Sequence, residues 1–501
     1  MTSIKPDHIF PLMLTFFTAT IAVSQINEPA SPVYHITLKD AHIGSLEIDT
    51  MLLQSYGTVP SNIKEFHLFA RNIFREPDTD FTDKRIISAA LDNNISLLGG
   101  PMLGNLKPES VSLWLRPASI NPLTIKVMNK GDKSERTYRL KPDFAGREQR
   151  IELDGLYPET EYEYVMLLKD KELATGTFST VPKDGTNSRI RIAFGSGFHK
   201  IGLHNPNLMN TIVNRRPHAM LLLGDLAVDD RDENLSMHRS DYLLRDLSKP
   251  WQKLAANVAL YASWDDHDYR NNDLSGVSDD FTDADREKLR KVWKQNWNNP
   301  PADREGIYFN TRLGQVEVIM LDTRSFRINE ERGEYGSYLG KEQLEWLKAT
   351  LKNSEADFKI VSSGTMWSDY ISDGKDSWGT WDTIAREEIF ELIEKENIPG
   401  ILWISGDRHG ARGFTIPRKS GFQFYEFEAA SLGGVPGPAA MAEDPTNQLF
   451  GYEGLGLKAF GEFTFYNDGD GPKVTFRLID ELGKIMEEHT LTYEKLIPKG
   501  R

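Results

Sequence analysis

The sequence of 501 residues contains no cysteine. Disulfide bonds, thiol nucleophiles, thiolate metal ligands and a lipid anchor on cysteine are therefore excluded. Any metal site must use carboxylate, imidazole or amide ligands. These donors favour Ca²⁺, Mg²⁺, Mn²⁺ or Zn²⁺ over iron–sulfur chemistry.

Basic residues and long apolar segments are also scarce. Lys and Arg total 59 against 74 Asp and Glu, which gives a formal net charge of −15. A surface of this sign repels nucleic acids and anionic membranes, so we expect no nucleic-acid binding. Beyond the N-terminal region no segment is long and apolar enough to span a bilayer, so we expect no membrane span after signal cleavage.

Residues 1–24 have the pattern of a secretory signal peptide. Lys5 gives a basic start, Ile9–Val23 forms a mostly apolar core, and Ala22-Val23-Ser24 is a small-residue cleavage site before Gln25. We therefore predict an exported protein, periplasmic or extracellular. The alternatives are an uncleaved anchor and a buried helix.

Residues 25–95, the N-terminal segment, carry no chemical signature, and their pattern does not indicate a fold. Within them, His35–Ile48 has the pattern of a strand and Ser61–Phe74 that of a helix. Short segments of alternating polarity, separated by turn residues, then occupy residues 96–182. Strands at this spacing predict a small, fibronectin-like antiparallel β-sandwich domain.

Residues 189–495 alternate between buried strands and helices, which predicts an α/β domain. The predicted strands are Ile190–Phe194, Ala219–Leu223, Val258–Ala262, Val316–Leu321, Phe358–Ser362 and Gly400–Ile404. The predicted helices are Pro206–Arg215, Tyr242–Asn257, Asp283–Asn296, Lys341–Lys352 and Thr383–Glu396. Ligands of such sheets gather beyond the carboxyl ends of the strands.

Four of these strand ends carry clusters of polar residues, which lie within Phe194–Lys200, Gly224–Asp230, Trp264–Asp268 and Ser405–His409. Any one cluster alone is weak evidence for a site, because a lone Gly-Asp after a strand is more typical of a turn and the Asp265–Asp268 stretch also fits a solvated acidic loop. Together they place several carboxylates in one cleft, where like charges about 4 Å apart repel and a cation is the natural partner. Aspartates from different strands can bridge two cations that clamp a phosphate and deprotonate a water.

Read in order, these motifs resemble those of a known family. They are Phe194–Gly197, Leu222–Asp225, Trp264–Tyr269, Leu321–Arg327 and Ser405–Gly410. The set is similar to that of the alkaline phosphatase D (PhoD-like) family of calcineurin-like metallophosphoesterases. The resemblance implies a four-layered α/β/β/α sandwich preceded by a small β-sandwich domain. It also implies an exported phosphomonoesterase or phosphodiesterase whose substrate is a phosphate ester.

The resemblance also implies roles for particular residues. Asp225 would bridge two metal ions, and Asp266, Asp407 and His409 would be further metal ligands. His267 would contact the substrate and protonate the leaving oxygen. Arg324 is a candidate phosphate anchor, with a structural ion pair to Asp322 or Asp268 as the equally weighted alternative.

Two positions depart from the family pattern. Gly197 stands where members usually carry cysteine, and Val228 where they usually carry tyrosine. Neither residue has a side-chain donor, so we expect divalent ions, two of them, in place of ferric iron. Asp229, Asp230 or His199 could compensate. The alternative is a degenerate, non-catalytic member that binds a phosphorylated ligand, and a third reading is an adhesion or structural protein.

Overall fold

The computed structural model describes residues 29–498 except 187, 373 and 375. The signal peptide predicted over residues 1–24 lies outside this range. Among the helices of the described range, none has the length and apolar character needed to cross a bilayer.

The N-terminal segment is helical. Its helices are α1 (Leu38–Ile43), α2 (Leu46–Leu53), α3 (Ser61–Ile73) and α4 (Lys84–Asp92). The strand predicted over His35–Ile48 is therefore wrong, whereas the helix predicted over Ser61–Phe74 is confirmed. Local capping overrides the strand pattern: Thr37 and Asp40 form a capping box, Gly44 ends α1 in a left-handed conformation, and Ser45 caps α2.

Two antiparallel sheets follow. Their strands are β1 (Leu97–Gly104), β2 (Val111–Pro117), β3 (Leu123–Asn129), β4 (Glu135–Leu140), β5 (Gln149–Leu153), β6 (Glu161–Leu168) and β7 (Lys171–Ser179). One sheet has the order β1-β2-β5 and the other β4-β3-β6-β7. In β3, Leu123, Ile125 and Val127 are buried and alternate with partly exposed residues, as a strand covered on one face requires.

The first half of the α/β part contains β8 (Ile190–Gly195), α5 (Pro206–Arg215), β9 (Ala219–Leu223), α6 (Leu235–Leu247), α7 (Lys249–Asn257), β10 (Ala259–Ser263), α8 (Asp266–Tyr269) and α9 (Asp283–Asn296). The single helix predicted over Tyr242–Asn257 is wrong. The chain instead leaves the helical conformation at Ser248, and α7 begins anew with Pro250 in its first turn. Proline has no N–H to donate to a preceding helical turn, so it suits a helix start better than a helix interior.

The second half contains β11 (Phe309–Leu313), β12 (Val316–Met320), α10 (Lys341–Asn353), β13 (Phe358–Ser362), α11 (Trp378–Lys395), β14 (Ile401–Ser405), β15 (Gly410–Pro417), β16 (Gln423–Ala430), β17 (Gln448–Glu453), β18 (Ala459–Asn467), β19 (Pro472–Asp480) and β20 (Ile485–Thr492). These strands complete two mixed sheets. One has the order β10-β9-β8-β18-β19-β20, and the other β11-β12-β13-β14-β16-β15-β17.

The two large sheets pack face to face between outer helices. Leu221 and Leu223 of β9 belong to the core between the sheets, whereas Met220 and Leu222 pack with α5, α6 and α7. On the other side, Ile319 of β12 packs with α10 and α11. The predicted four-layered α/β/β/α fold is therefore confirmed.

The carboxyl ends of the parallel strands from both sheets meet at one place. β8, β9 and β10 are parallel in one sheet, and β12, β13, β14 and β16 are parallel in the other. The amide of Ser196, after β8, donates to the carbonyl of Ala429 in β16 at 3.0 Å. The loops that follow these strands are thereby held against one another, and they carry the polar motifs.

Candidate metal centre

One group of possible metal ligands joins the loops after β8, β9 and β14. It consists of His199, Asp225 and His409. His199 Nε2 lies 2.9 Å from His409 Nε2 and 3.6 Å from Asp225 Oδ2. His409 Nδ1 lies 2.6 Å from the carbonyl oxygen of Pro436, so it donates there and leaves Nε2 as the ligand atom. Burial lowers the pKa of His409 to about 3, which keeps its ring neutral.

A second group is acidic and shares Asp225 with the first. Asp225, Asp266 and His267 lie close together, and so do Asp265, Asp266 and Asp407. In each of the four aspartates one buried carboxylate oxygen has no hydrogen-bond partner within the described part of the chain. Oxygen ligands of this kind suit Ca²⁺, Mg²⁺ or Mn²⁺. The donor set therefore fits the metal ions that the sequence predicts.

Electrostatics also favour a cation here. Burial and the neighbouring Asp266 raise the pKa of Asp225 well above its usual range. Burial and the neighbouring Asp265 do the same for Asp407. The carboxylates therefore resist ionising together in this cleft, and a bound cation would remove that resistance.

The backbone at the ligands is strained. Asp225, Asp407, His199 and His409 have φ values of 56°, 67°, 44° and 31°. Left-handed conformations of this kind are uncommon for non-glycine residues and persist where the surrounding fold imposes them. Each ligand is therefore held in place by its loop.

Arg324 lies among the acids of the second group. Its side chain is fully buried, its Nε contacts Asp265, and its Nη2 lies 3.0 Å from Asp376 Oδ2 and 3.6 Å from Asp407 Oδ1. The alternative prediction, an ion pair between the Arg324 side chain and Asp322 or Asp268, is wrong, because that side chain is paired with other aspartates. Asp322 instead accepts a hydrogen bond from the Arg324 backbone amide at 3.3 Å.

His267 is held by a carboxylate. Its Nδ1 lies 2.6 Å from Asp230 Oδ1. Burial opposes its positive charge, but Asp266, Asp230 and Asp225 outweigh burial and raise the pKa of His267 well above the usual value. A protonated imidazole in this position can give a proton to a leaving oxygen.

Asp268 has a different function from its neighbours. Its Oδ1 accepts the Leu226 amide at 3.0 Å and its Oδ2 accepts the Asp265 amide at 3.3 Å. Burial raises the pKa of Asp268 to about 8. The side chain therefore ties the loops after β9 and β10 together and lies outside the ligand groups.

The two departures from the family pattern flank residues that could compensate for them. A Cβ atom on Gly197 would lie 3.9 Å from Cδ2 of His409, so a longer side chain there would face the first ligand group. His199 occupies that group instead. Val228 is buried in the apolar core, and the next residue, Asp229, is the one that meets the histidines.

His42 is a residue of the site that the sequence reasoning missed. α1 brings its Nε2 within 3.3 Å of Asp229 Oδ1 and its Nδ1 within 3.1 Å of Asp230 Oδ2. Its ring centroid lies 4.5 Å from that of His267. No motif surrounds His42, so nothing in the local sequence indicated this position.

Comparisons with known proteins agree with the motifs. Residues 208–448 match the family model of the PhoD-like phosphatases. Alkaline phosphatase D of Bacillus subtilis (strain 168) is 22% identical, over 57% of this chain and 56% of that protein. The chain thus spans little more than half of the length of this curated relative.

Solved structures share the fold. The structure of PhoD superposes with a TM-score of 0.62 at 18% identity, covering 79% of this chain and 88% of that one. A purple acid phosphatase from yellow lupin (Lupinus luteus) seeds superposes with a TM-score of 0.54 at 13% identity, covering 79% and 74%. The resemblance stated from the sequence is therefore confirmed.

Proposed function

Because residues 208–448 match the PhoD-like phosphatases, we propose that this protein is a metal-dependent phosphoric ester hydrolase. The observation that carries the proposal is the position of Asp225. It belongs both to the group with His199 and His409 and to the group with Asp266 and His267. A carboxylate shared in this way suits two cations side by side.

Two divalent ions would be held by these groups, one by His199, Asp225 and His409 and the other by Asp225, Asp265, Asp266 and Asp407. When bound, such ions supply positive charge for a phosphate and lower the pKa of a water. His199 takes the place of the missing cysteine at Gly197, so we propose Ca²⁺, Mn²⁺, Zn²⁺ or Mg²⁺ rather than ferric iron.

The protein's own side chains would perform the remaining steps. His267, oriented by Asp230, would donate a proton to the leaving alkoxide oxygen. The Nη1 of Arg324 has no hydrogen-bond partner in the described structure, so it could donate to a phosphate oxygen. Two fixed donors would thus contact the ester, one at the leaving oxygen and one at the phosphate.

We propose that the substrate is a phosphate monoester or diester and that the protein acts outside the cytoplasm, as the pattern of residues 1–24 suggests. The negative surface makes a nucleic acid an unsuitable partner. We also propose that residues 96–182 form the fibronectin-like β-sandwich domain and residues 189–495 the catalytic α/β domain.

A non-catalytic protein of the same fold is the second candidate. Gly197 and Val228 favour it, because neither can supply the anionic ligand that family members usually carry there. Such a protein would bind a phosphorylated ligand without turning it over.

Hydrolysis of an aryl phosphate and of a bis-aryl phosphate separates the two candidates. The purified protein is assayed with Ca²⁺, Mn²⁺, Zn²⁺, Mg²⁺ or a chelator, beside Asp407→Ala and the control Asp470→Ala, which changes an exposed hairpin aspartate. We expect metal-dependent turnover that only Asp407→Ala lacks. Folded protein with no turnover in any condition would overturn the enzyme proposal.

A further inference from the structure

Asp229 lies at the centre of a cluster of three imidazoles. Its Oδ1 is 3.3 Å from His42 Nε2, 3.5 Å from His199 Nδ1 and 3.5 Å from His267 Nδ1. These separations exceed the 2.7–3.2 Å typical of a nitrogen–oxygen hydrogen bond. Ligands about 2.0–2.1 Å from a tetrahedral zinc ion are about 3.3 Å apart, so the spacing fits a metal better than hydrogen bonds.

The cluster shares His199 with the first ligand group and His267 with the second, and it adds His42 and Asp229. His42 and Asp229 occur with His199 and His267 in a separate set that contains neither Asp225 nor Asp407. His199 takes part in both, because its Nε2 faces His409 and its Nδ1 faces Asp229. A neutral imidazole can bind only one ion, so His199, which would bind through Nε2, faces Asp229 with its Nδ1–H and is not a ligand of this cluster.

Burial leaves the carboxylate of Asp229 in need of a cation or a hydrogen-bond donor. The residue is fully buried, and its Oδ2 has no hydrogen-bond partner in the range that the structure describes. A buried carboxylate oxygen without a partner costs free energy unless a cation or a donor satisfies it. The side chain of His42 is 21% exposed, so an ion has a path from solvent to the cluster.

The helix that carries His42 is fixed by buried charges. Arg231 Nη1 donates to the carbonyl of His42 at 2.9 Å, and Arg71 Nη2 donates to the carbonyl of Gly44 at 2.6 Å. Arg71 is paired in turn with buried Asp49 at 2.7 Å. His42 therefore meets Asp229 from a rigid support, as a preorganised ligand requires.

We propose that His42 Nε2, the Asp229 carboxylate and His267 Nδ1 bind a further divalent ion of the zinc class. Three protein ligands leave one position open, which is the pattern of zinc sites that carry a water. Binding displaces the proton that His267 Nδ1 gives to Asp230 and releases it to solvent. While this ion is bound, His267 therefore cannot act as the proton donor of the proposed hydrolase. The proposal rests on the proposed function only in one respect: the ions of the dinuclear centre are part of the number of zinc ions per chain with which each variant is compared.

Zinc content tests the proposal without substrate. Chelated protein is loaded with excess Zn²⁺, passed through a desalting column and measured by inductively coupled plasma mass spectrometry. His42→Ala should hold one zinc ion fewer per chain than wild type. His35→Ala, which changes an exposed histidine just before α1, should match wild type. Equal zinc content in His42→Ala and wild type would overturn the proposal.

A second variant and a second measurement keep the test decisive. Asp229→Asn should also lose one ion, and circular dichroism checks that each variant is folded. If Asp229→Asn misfolds, the zinc-edge anomalous map of wild-type crystals decides. A peak about 2.0–2.1 Å from His42 Nε2 supports the site, and peaks only at Asp225 and Asp407 contradict it.

Failure of this site and failure of the proposed function give different results. Asp407→Ala should lose turnover and an ion of the acidic group, yet keep the ion that depends on His42. Absence of turnover in wild type would overturn the hydrolase proposal and leave the zinc count unchanged. Equal zinc content in wild type and His42→Ala, with wild-type turnover intact, would overturn only the further site.

Discussion

His199 Nε2 and His409 Nε2 face each other at 2.9 Å, although 210 residues separate them in the chain. Because His409 Nδ1 donates to Pro436, its Nε2 presents a lone pair to the same space that His199 enters. This pair is the structural reason for expecting a metal ion where the family's cysteine is missing.

His199→Ala should remove the ion of the first group. Losing a group that only orients a metal ligand costs about 10–100-fold in metal affinity, so losing the ligand itself should cost more than that. Isothermal titration of chelated protein with Mn²⁺ measures the effect, with His35→Ala as control. Unchanged affinity in His199→Ala would show that His199 does not replace the cysteine.

His267→Ala should lower hydrolysis in proportion to the difficulty of the leaving group. General acid catalysis contributes about 10²–10⁴-fold when an alkoxide must be protonated, and much less when the leaving group is a nitrophenolate. The measurement compares kcat for an alkyl phosphate and for 4-nitrophenyl phosphate in the variant and in wild type. An equal loss on both substrates would argue against a proton-donating role.

Gly197→Ala should destabilise the fold. Gly197 has a φ of +73°, and an added Cβ would lie 3.2 Å from the carbonyl oxygen of Ala430. Left-handed backbone costs a non-glycine residue about 1–2 kcal/mol, and the close contact adds to that. Urea unfolding measures the free energy of unfolding. The control is Gly456→Ala, because Gly456 has a φ of +78° with nothing within 4 Å of the added Cβ. A loss no larger than the control's would show that the Ala430 contact costs nothing.

The free energy of unfolding should decrease as the pH is lowered, because His67 is buried. Burial lowers the pKa of His67 from 6.5 to about 4. Below pH 6.5 the unfolded chain therefore binds a proton that the folded chain does not, so the free energy of unfolding falls as pH decreases towards 4. The slope from one such group is about 1.4 kcal/mol per pH unit.

His67→Leu should remove that slope while leaving the contributions of other groups in place. Chemical unfolding of wild type, His67→Leu and the exposed control His35→Leu between pH 4 and pH 7 gives the comparison. The wild type and His35→Leu should show the same pH dependence. A His67→Leu curve parallel to both would mean that His67 is protonated in the folded state.

Most of the fold could be predicted from the sequence because strand and helix periods are local. Helices such as Pro206–Arg215 and Asp283–Asn296 have the predicted bounds. The strand predicted over His35–Ile48 was wrong, since the caps at Thr37 and Ser45 outweigh a weak strand pattern. The break at Ser248 was missed because an apolar period continues across it.

The candidate site also has a part that the sequence predicts and a part that it does not. Asp225, Asp266, Asp407 and His409 stand in strand-end motifs, and the structure brings them together. The acid partners of Arg324 and the approach of His42 depend on how distant elements pack. Neither the charge nor the spacing of Asp376 or His42 along the chain contains that information.

The distribution of the ligands along the chain also sets when a metal can bind. His42 lies in the first helix described, and it meets Asp229 and His267, while His199 meets His409 near the end of the α/β part. A chain synthesised or translocated only as far as residue 400 therefore lacks Asp407 and His409, and neither ion of the proposed dinuclear centre has its full set of ligands. For the exported protein proposed here, metal uptake would follow folding at the destination, and the metals available in that compartment, rather than those of the cytoplasm, would determine which ions the finished protein carries.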